Sequence, residues 1–219
     1  MTAEEVMVLP PGYPPSTVKL KAEEAATMLF EAEDFGSGLS FQDRIRKSTI
    51  GSDAIAIRTS REIEGPFLDY VGKGFGKPDL LTGPCLPETR TQQLDDEWVN
   101  WLSQFQPGSV VFCSFGSQSG LQKDEFQELA VGFELSGLPF LVALKPPQGC
   151  STVEEALPEG FQERVKERRL VYGGWVPLEP LLYHPDIGCF VNHCGYGTMW
   201  EFLLSDCQIV LIPKIGIKF

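Results

Sequence analysis

Histidine is nearly missing: His184 and His193 are the only two in 219 residues. Most general-base and zinc chemistry draws on imidazole, so this scarcity narrows the enzymes the chain could be. Positive charge is also short, with 18 Lys+Arg against 30 Asp+Glu and a net charge of −12. A nucleic-acid binder presents a basic face to phosphates, and the acid excess argues against that class. No N-terminal apolar core with a basic flank is present, and secretion is not indicated. Residues 1–30 contain Pro10, Pro11, Pro14 and Pro15 instead, which make a rigid and irregular stretch. A hydrophobic share of 42% beside 22% charged residues is that of a soluble globular protein, which argues against wholesale disorder and stable membrane insertion.

The six cysteines (Cys85, Cys113, Cys150, Cys189, Cys194 and Cys207) lie singly, mostly inside apolar runs. They read as reduced thiols, and the expected location is cytoplasmic. Cys189 and Cys194 flank His193, but no second ligand pair stands at zinc spacing, so no metal site is expected. Adjacent His193 and Cys194 also fail as a hydrolase pair, because neighbours on an extended strand point to opposite faces. The glycine-rich Gly72–Lys77 is no phosphate loop: Val71 stands where a Walker loop needs glycine, and no Ser or Thr follows Lys77. It is expected to be a solvated turn.

The first part of the chain mixes helices at Ala22–Phe35, Phe41–Ile50 and Glu62–Val71 with strands at Asp53–Ser60 and Leu80–Gly83. A polar, proline-bounded stretch follows, with a short helix expected at Glu97–Phe105. From Ser109 the pattern becomes regular. Apolar strands are expected at 109–115, 138–144, 170–172, 187–192 and 208–213. Helices are expected at Gln122–Ser136, Phe161–Arg168 and Thr198–Leu204. Strands apolar on both faces and alternating with helices describe an open, doubly wound α/β sheet, whose ligands sit beyond the carboxyl ends of its strands. Two turns lie at such ends: Phe115-Gly116-Ser117 and His193-Cys194-Gly195-Tyr196-Gly197-Thr198. A glycine-containing strand-to-helix turn offers free backbone N–H groups and the positive end of a helix dipole to a phosphate. Taken alone, the same turn serves equally well as plain strand–helix packing.

The run Trp175–Gly216 (WVPLEPLLYHPDIGCFVNHCGYGTMWEFLLSDCQIVLIPKIG) resembles the C-terminal signature of the plant UDP-dependent glycosyltransferases of secondary metabolism, with Trp, His, Gly-x-Phe, His-Cys-Gly and Glu at matching separations. Outside it, PPGYPPSTVKL, FGSGLSF, RTSREIEGPFLDYVG, LLTGPCLPE, PGSVVFCSFGSQ and FQELAVGFELSGLPFLVALKPPQG resemble the branch that adds a sugar to a flavonoid or anthocyanin glycoside.

The resemblance implies a metal-free, inverting GT-B enzyme that moves a sugar from a UDP-sugar to a hydroxyl of a small plant glycoside. UDP-sugar is then the donor substrate, and no cofactor is implied. Trp175 matches the tryptophan that stacks on uracil, Val176 a backbone contact to its edge, and Glu201 the acceptor for both ribose hydroxyls. Ser117, His193, Gly197 and Thr198 match the diphosphate contacts, while His184 matches a structural residue. Five positions depart from the pattern: Leu178 replaces a glutamine that helps read uracil, Gly197 a common asparagine and Tyr196 a tryptophan, as in the branch just named, and Ile217 and Lys218 replace an acid–Gln pair that grips the sugar. The catalytic histidine and its aspartate have no counterpart here, since both histidines lie in the donor motif. The expected organisation is therefore partial: 1–86 the rear of the acceptor domain, 87–96 a linker, and 97–219 an incomplete Rossmann-like UDP-sugar domain. The competing expectation is a non-catalytic fragment or pseudogene product that binds UDP weakly at best.

Overall fold

A computed structural model describes residues 2–17, 19–85, 93–116, 120–203 and 205–213, with only the backbone of Glu23. The chain divides into two compact units, Met1–Cys85 and Leu86–Phe219. Of the expected linker, 87–92 lie outside the described residues. Among the described residues no helix is long and apolar enough to cross a membrane.

The first unit contains α1 (Ala3–Val6), α2 (Ala22–Thr27), a 3-10 turn at Met28–Ala32, α3 (Phe41–Gly51), β1 (Ile55–Ile57), α4 (Arg61–Phe75) and β2 (Asp79–Leu81). The strands β1 and β2 pair in parallel, with α4 as their crossover. Arg61, at the start of α4, donates to Asp69 at 2.8 Å and to Asp79 at 3.0 Å, which ties that helix to β2. The glycine-rich run is not a turn of its own, as the sequence suggested. Gly72 and Gly74 are helical, and α4 ends only where Gly76 adopts a left-handed φ of 62°. A C-terminal glycine cap sets the boundary there, and glycine inside the helix is tolerated.

The second unit is built on a five-stranded parallel sheet. Its elements are α5 (Asp96–Leu102), β3 (Val110–Ser114), α6 (Lys123–Ser136), β4 (Phe140–Ala143), α7 (Phe161–Arg164), β5 (Arg169–Tyr172), α8 (Leu178–Leu182), β6 (Ile187–Asn192), α9 (Tyr196–Phe202) and β7 (Gln208–Leu211). The strand order is β5-β4-β3-β6-β7. The chain winds outward from β3 to β5, then crosses back to lay β6 on the other side of β3. That reversal creates a crevice at the carboxyl ends of β3 and β6.

Alternation along the central strands supplies two cores. Val111, Cys113 and Phe115 face one side with Phe126, Phe133 and Phe161, while Val110 and Phe112 face the other with Leu102, Leu181, Leu182 and Phe190. Phe112 stacks on Phe190 across the β3–β6 pair, with ring centroids 5.2 Å apart. Both faces are therefore dry, as a parallel sheet requires.

α6 begins after a capping box at Gln122 and Glu125 and ends at Gly137. α7 stops four residues short of the expected Arg168. Instead of continuing the helix, the Arg168 guanidinium donates to the carbonyls of Phe133, Glu134 and Leu138 at the carboxyl end of α6. The carbonyls at a helix end lack the full set of backbone donors; those of Phe133 and Glu134 also accept from the Ser136 hydroxyl and the Gly137 N–H, and the cation there complements the helix dipole. Helix α8 was not expected at all. It spans five residues, and Pro180 sits within its first turn, where proline costs least.

Gly188 on β6 lies against the backbone of Gly108, and an added Cβ would collide with the Gly108 carbonyl. Gly188→Ala should therefore destabilise the chain by about 2–3 kcal/mol, the upper range for forced overpacking. Urea denaturation of the 219-residue chain checks this. A midpoint unchanged from wild type would show that β6 and the turn before β3 can separate freely.

Candidate functional site

The crevice forms because two strands end together. Ser114 pairs with Asn192 in the β3–β6 register, so the residues that follow each strand emerge side by side. Asn192 is fully buried and fastens this end: its Nδ2 donates to the Ser114 carbonyl at 2.8 Å, and its Oδ1 accepts from the Gly195 N–H at 3.2 Å. One side chain thus holds the end of β3 and shapes the turn that leads into α9. Sequence reasoning passed over Asn192 as the last letter of a strand. A polar residue closing an apolar strand was the available signal, because buried amides are kept where they find partners.

His193 follows immediately. Its ring leans on Phe115, with centroids 5.8 Å apart, and its Cε1 lies 3.4 Å from where a Gly116 side chain would begin. Gly116, with φ of 68°, is thus the residue that lets the β3 turn approach the imidazole. Nδ1 of His193 is buried with no hydrogen-bond partner among the described residues. Burial holds the ring's pKa below its ordinary value, so the imidazole is neutral at neutral pH and able to offer one N–H. Cys194 turns the chain with φ of 68°, an uncommon conformation for a residue with a side chain. Burial raises its thiol pKa, the reverse of what a nucleophile needs.

Gly195 is the N-cap of α9. Gly197 and Thr198 fall in the first turn of that helix and Glu201 three residues beyond Thr198, on the same side of the helix. All three are half-buried. The helix begins two residues earlier than its apolar pattern suggested, which brings Tyr196 and Gly197 into it.

Next to this turn, on the β4–β5 side, lies an open cleft of about 340 Å³ lined by Ser114, Gly116, Lys145, Gly174, Trp175 and Val176, among others. Trp175 is 73% exposed, an unusual state for an indole, whereas Val176 is buried in the core beneath it. Tyr172 sits edge-on to Trp98 at 5.3 Å and supports the strand end from which Trp175 projects. Leu178 also lines the cleft and packs on the same core as Val176. Its apolar side chain presents no donor or acceptor there. The structure therefore brings Trp175 and Val176 into one cleft with Gly116, and Gly116 abuts His193. Gly197, Thr198 and Glu201 stand beside it on α9 and are not among the lining residues. Ser117, Ile217 and Lys218 lie outside the described residues.

His184 stands apart, between α8 and β6. Its Nδ1 accepts from the Asp186 N–H at 3.3 Å and lies 3.6 Å from the Asp186 carboxylate. The Asp186 carbonyl in turn accepts from the Val110 N–H. The pair anchors the start of β6.

Two outcomes follow from this geometry. Asn192→Ala strands two backbone groups at once and should cost about 2 kcal/mol of stability, read from urea midpoints; an unchanged midpoint would show that the clasp carries no weight. His193 gives a pH signature. Its folded pKa lies below its unfolded value, so the unfolded chain takes up the proton first. Stability is then complete above about pH 6.5 and declines as pH falls toward the folded value. Between about pH 7.5 and 5.5, wild type should lose more stability than His193→Gln. Parallel pH profiles would show that the ring is not desolvated.

Comparison with known proteins supplies the lineage. The sequence model of the family described as UDP-glucoronosyl and UDP-glucosyl transferase matches residues 86–217. UDP-glycosyltransferase 79B3 of Arabidopsis thaliana is 57% identical over 215 residues, which is 97% of this chain and 48% of the relative. The anthocyanidin 3-O-glucoside 2'''-O-xylosyltransferase of the same plant is 53% identical over 99% of this chain and 47% of the relative. The chain thus spans about half the length of the curated relatives it matches. Among solved structures, TcCGT1 in complex with UDP superposes with a TM-score of 0.75 at 23% identity, over 96% of this chain and 49% of that one. Apo UGT2 of Phytolacca americana superposes at 0.72 with 25% identity, over 97% of this chain and 48% of that one. The architecture is accordingly a partial GT-B fold of the α/β class. A parallel sheet reversed at β3 and β6, a motif opening α9, and the match over residues 86–217 make this chain a member of the UDP-glucoronosyl and UDP-glucosyl transferase family.

Proposed function

We propose that the unit Leu86–Phe219 is the UDP-sugar-binding part of a glycosyltransferase, and that its crevice holds the nucleotide of the donor. The exposed indole of Trp175, in the cleft beside the β3–β6 switch point, carries this reading. An aromatic face left open beside backbone donors offers a base its stacking partner and a diphosphate its hydrogen bonds. Uracil stacks on Trp175, and the Val176 backbone meets the base edge. Glu201 accepts from the ribose hydroxyls. His193, Gly197, Thr198 and Ser117 bind the diphosphate.

The family reaction, in this reading, is attack of an acceptor hydroxyl on the anomeric carbon from the face opposite UDP. The new glycosidic bond forms as the bond to the β-phosphate oxygen breaks, a base takes the hydroxyl proton, and UDP leaves with the bonding electrons. Backbone N–H groups and the neutral His193 N–H stabilise the charge that develops on the departing diphosphate. The acceptor is a small plant glycoside of the flavonoid or anthocyanin type, a reading supported by the 53% identity to the anthocyanidin glucoside xylosyltransferase. The unit Met1–Cys85 is the rear of the acceptor domain.

Both histidines lie in the nucleotide unit, and His184 is engaged with Asp186, so the 219 residues carry no imidazole available to an acceptor. The 219-residue chain on its own therefore binds UDP without transferring sugar. Titration with UDP, followed by tryptophan fluorescence, should show saturable quenching. Trp175→Ala should weaken binding by about 1–3 kcal/mol, roughly 5- to 150-fold. An unchanged affinity would overturn the stacking role, and sugar transfer to any acceptor by the purified chain would overturn the claim of inactivity.

A further inference from the structure

Resting on the nucleotide-binding reading of the cleft, we propose that Lys145 is a further ligand-binding residue, one that pairs with the anionic diphosphate. Thirty acids outnumber eighteen bases in this chain, yet among the described residues no acid lines the cleft, and Lys145 is the one charged side chain that does. A cationic side chain with no carboxylate among the described residues that line its cleft is complementary to an anion.

Register places it where that anion belongs. Ser114, Ala143 and Tyr172 are paired neighbours across β3, β4 and β5. Two residues further along each chain stand Gly116, Lys145 and Gly174, all three lining the cleft. Lys145 is thus flanked on both sides by residues without side chains. At Gly174 a Cβ would stand 2.7 Å from the Tyr172 ring, and at Gly116 it would meet His193. At those two positions the floor is backbone, and among the described lining residues the lysine is the one with a charged side chain able to sweep it. Gly116 is also the residue against His193, so the ammonium approaches the diphosphate from the strand opposite the imidazole. A flexible point charge suits that task, since an ammonium makes three donors available without demanding a fixed plane. Lys145 was passed over in the sequence because it opens a proline-containing loop, and only the register of three strands brings it into the site.

The test is calorimetric titration of the purified 219-residue chain and its Lys145→Met and Lys145→Arg variants with uridine and with UDP. Lys145→Met should weaken UDP about tenfold or more and leave uridine within about twofold, and Lys145→Arg should restore most of the UDP affinity. Raising sodium chloride from about 50 to about 300 mM should weaken UDP more for wild type than for Lys145→Met. Equal losses for uridine and UDP would place the lysine on the base or ribose and overturn the proposal, as would an unchanged UDP affinity. If folded wild type binds neither ligand, the nucleotide reading itself fails; wild-type binding with an indifferent Lys145→Met refutes this inference alone. Circular dichroism melts establish that the variants are folded, which the exposed position of Lys145 favours.

Discussion

The parallel pairing of β3 with β6 is the constraint on which the rest of this unit depends. Each of these strands has a neighbour on its other side, and only their shared edge joins the outward-wound half of the sheet to the returning half. Phe112 on Phe190 seals one face of that seam, and Val111, Cys113 and Val191 belong to the core on the other. Asn192 closes it at the carboxyl end by hydrogen bonds to both sides. The crevice exists because the halves are joined there and nowhere else. Its chemistry follows from which residues the two strands release on emerging.

What emerges is mostly backbone. Gly116, Gly173, Gly174 and Gly195 line or border the crevice with no side chains, and the groups that do project are few: the indole of Trp175, the imidazole of His193 and the ammonium of Lys145. Such a surface can bring N–H groups close to an anion without a strong overall positive field, which reconciles a net charge of −12 with an anionic ligand. Burial keeps His193 neutral, so at neutral pH it contributes a dipole instead of a full charge. That leaves Lys145 as the formal cation among the described residues of the cleft.

Legibility from sequence followed how local each feature was. β6 and α6 were readable because an unbroken apolar run and a Gln122-to-Gly137 pair of caps need no tertiary context. The Trp175 and His193 turns were readable through their motif. α7 fell short because Arg168 was drawn to the end of α6, a contact thirty or more residues away in sequence. α9 began early because Gly195 is its N-cap, which draws Tyr196 and Gly197 into a helix whose apolar pattern starts at Thr198. Asn192 and Lys145 were invisible for a shared reason: each owes its place beside the turn or cleft to strand register, and a single sequence does not state which strands are neighbours. Leu178 was noted as a departure, and its place on the cleft wall, packed into the core, is a fact of tertiary structure.

Amide hydrogen exchange on the 219-residue chain with and without UDP tests the central claim most directly, since it reports on each backbone segment without presuming which side chain matters. The account predicts slowed exchange at residues 114–116, 173–176 and 193–198, with no change in residues 41–75 of the first unit. Unchanged exchange in all three segments at saturating UDP, or slowing confined to the first unit, would contradict it.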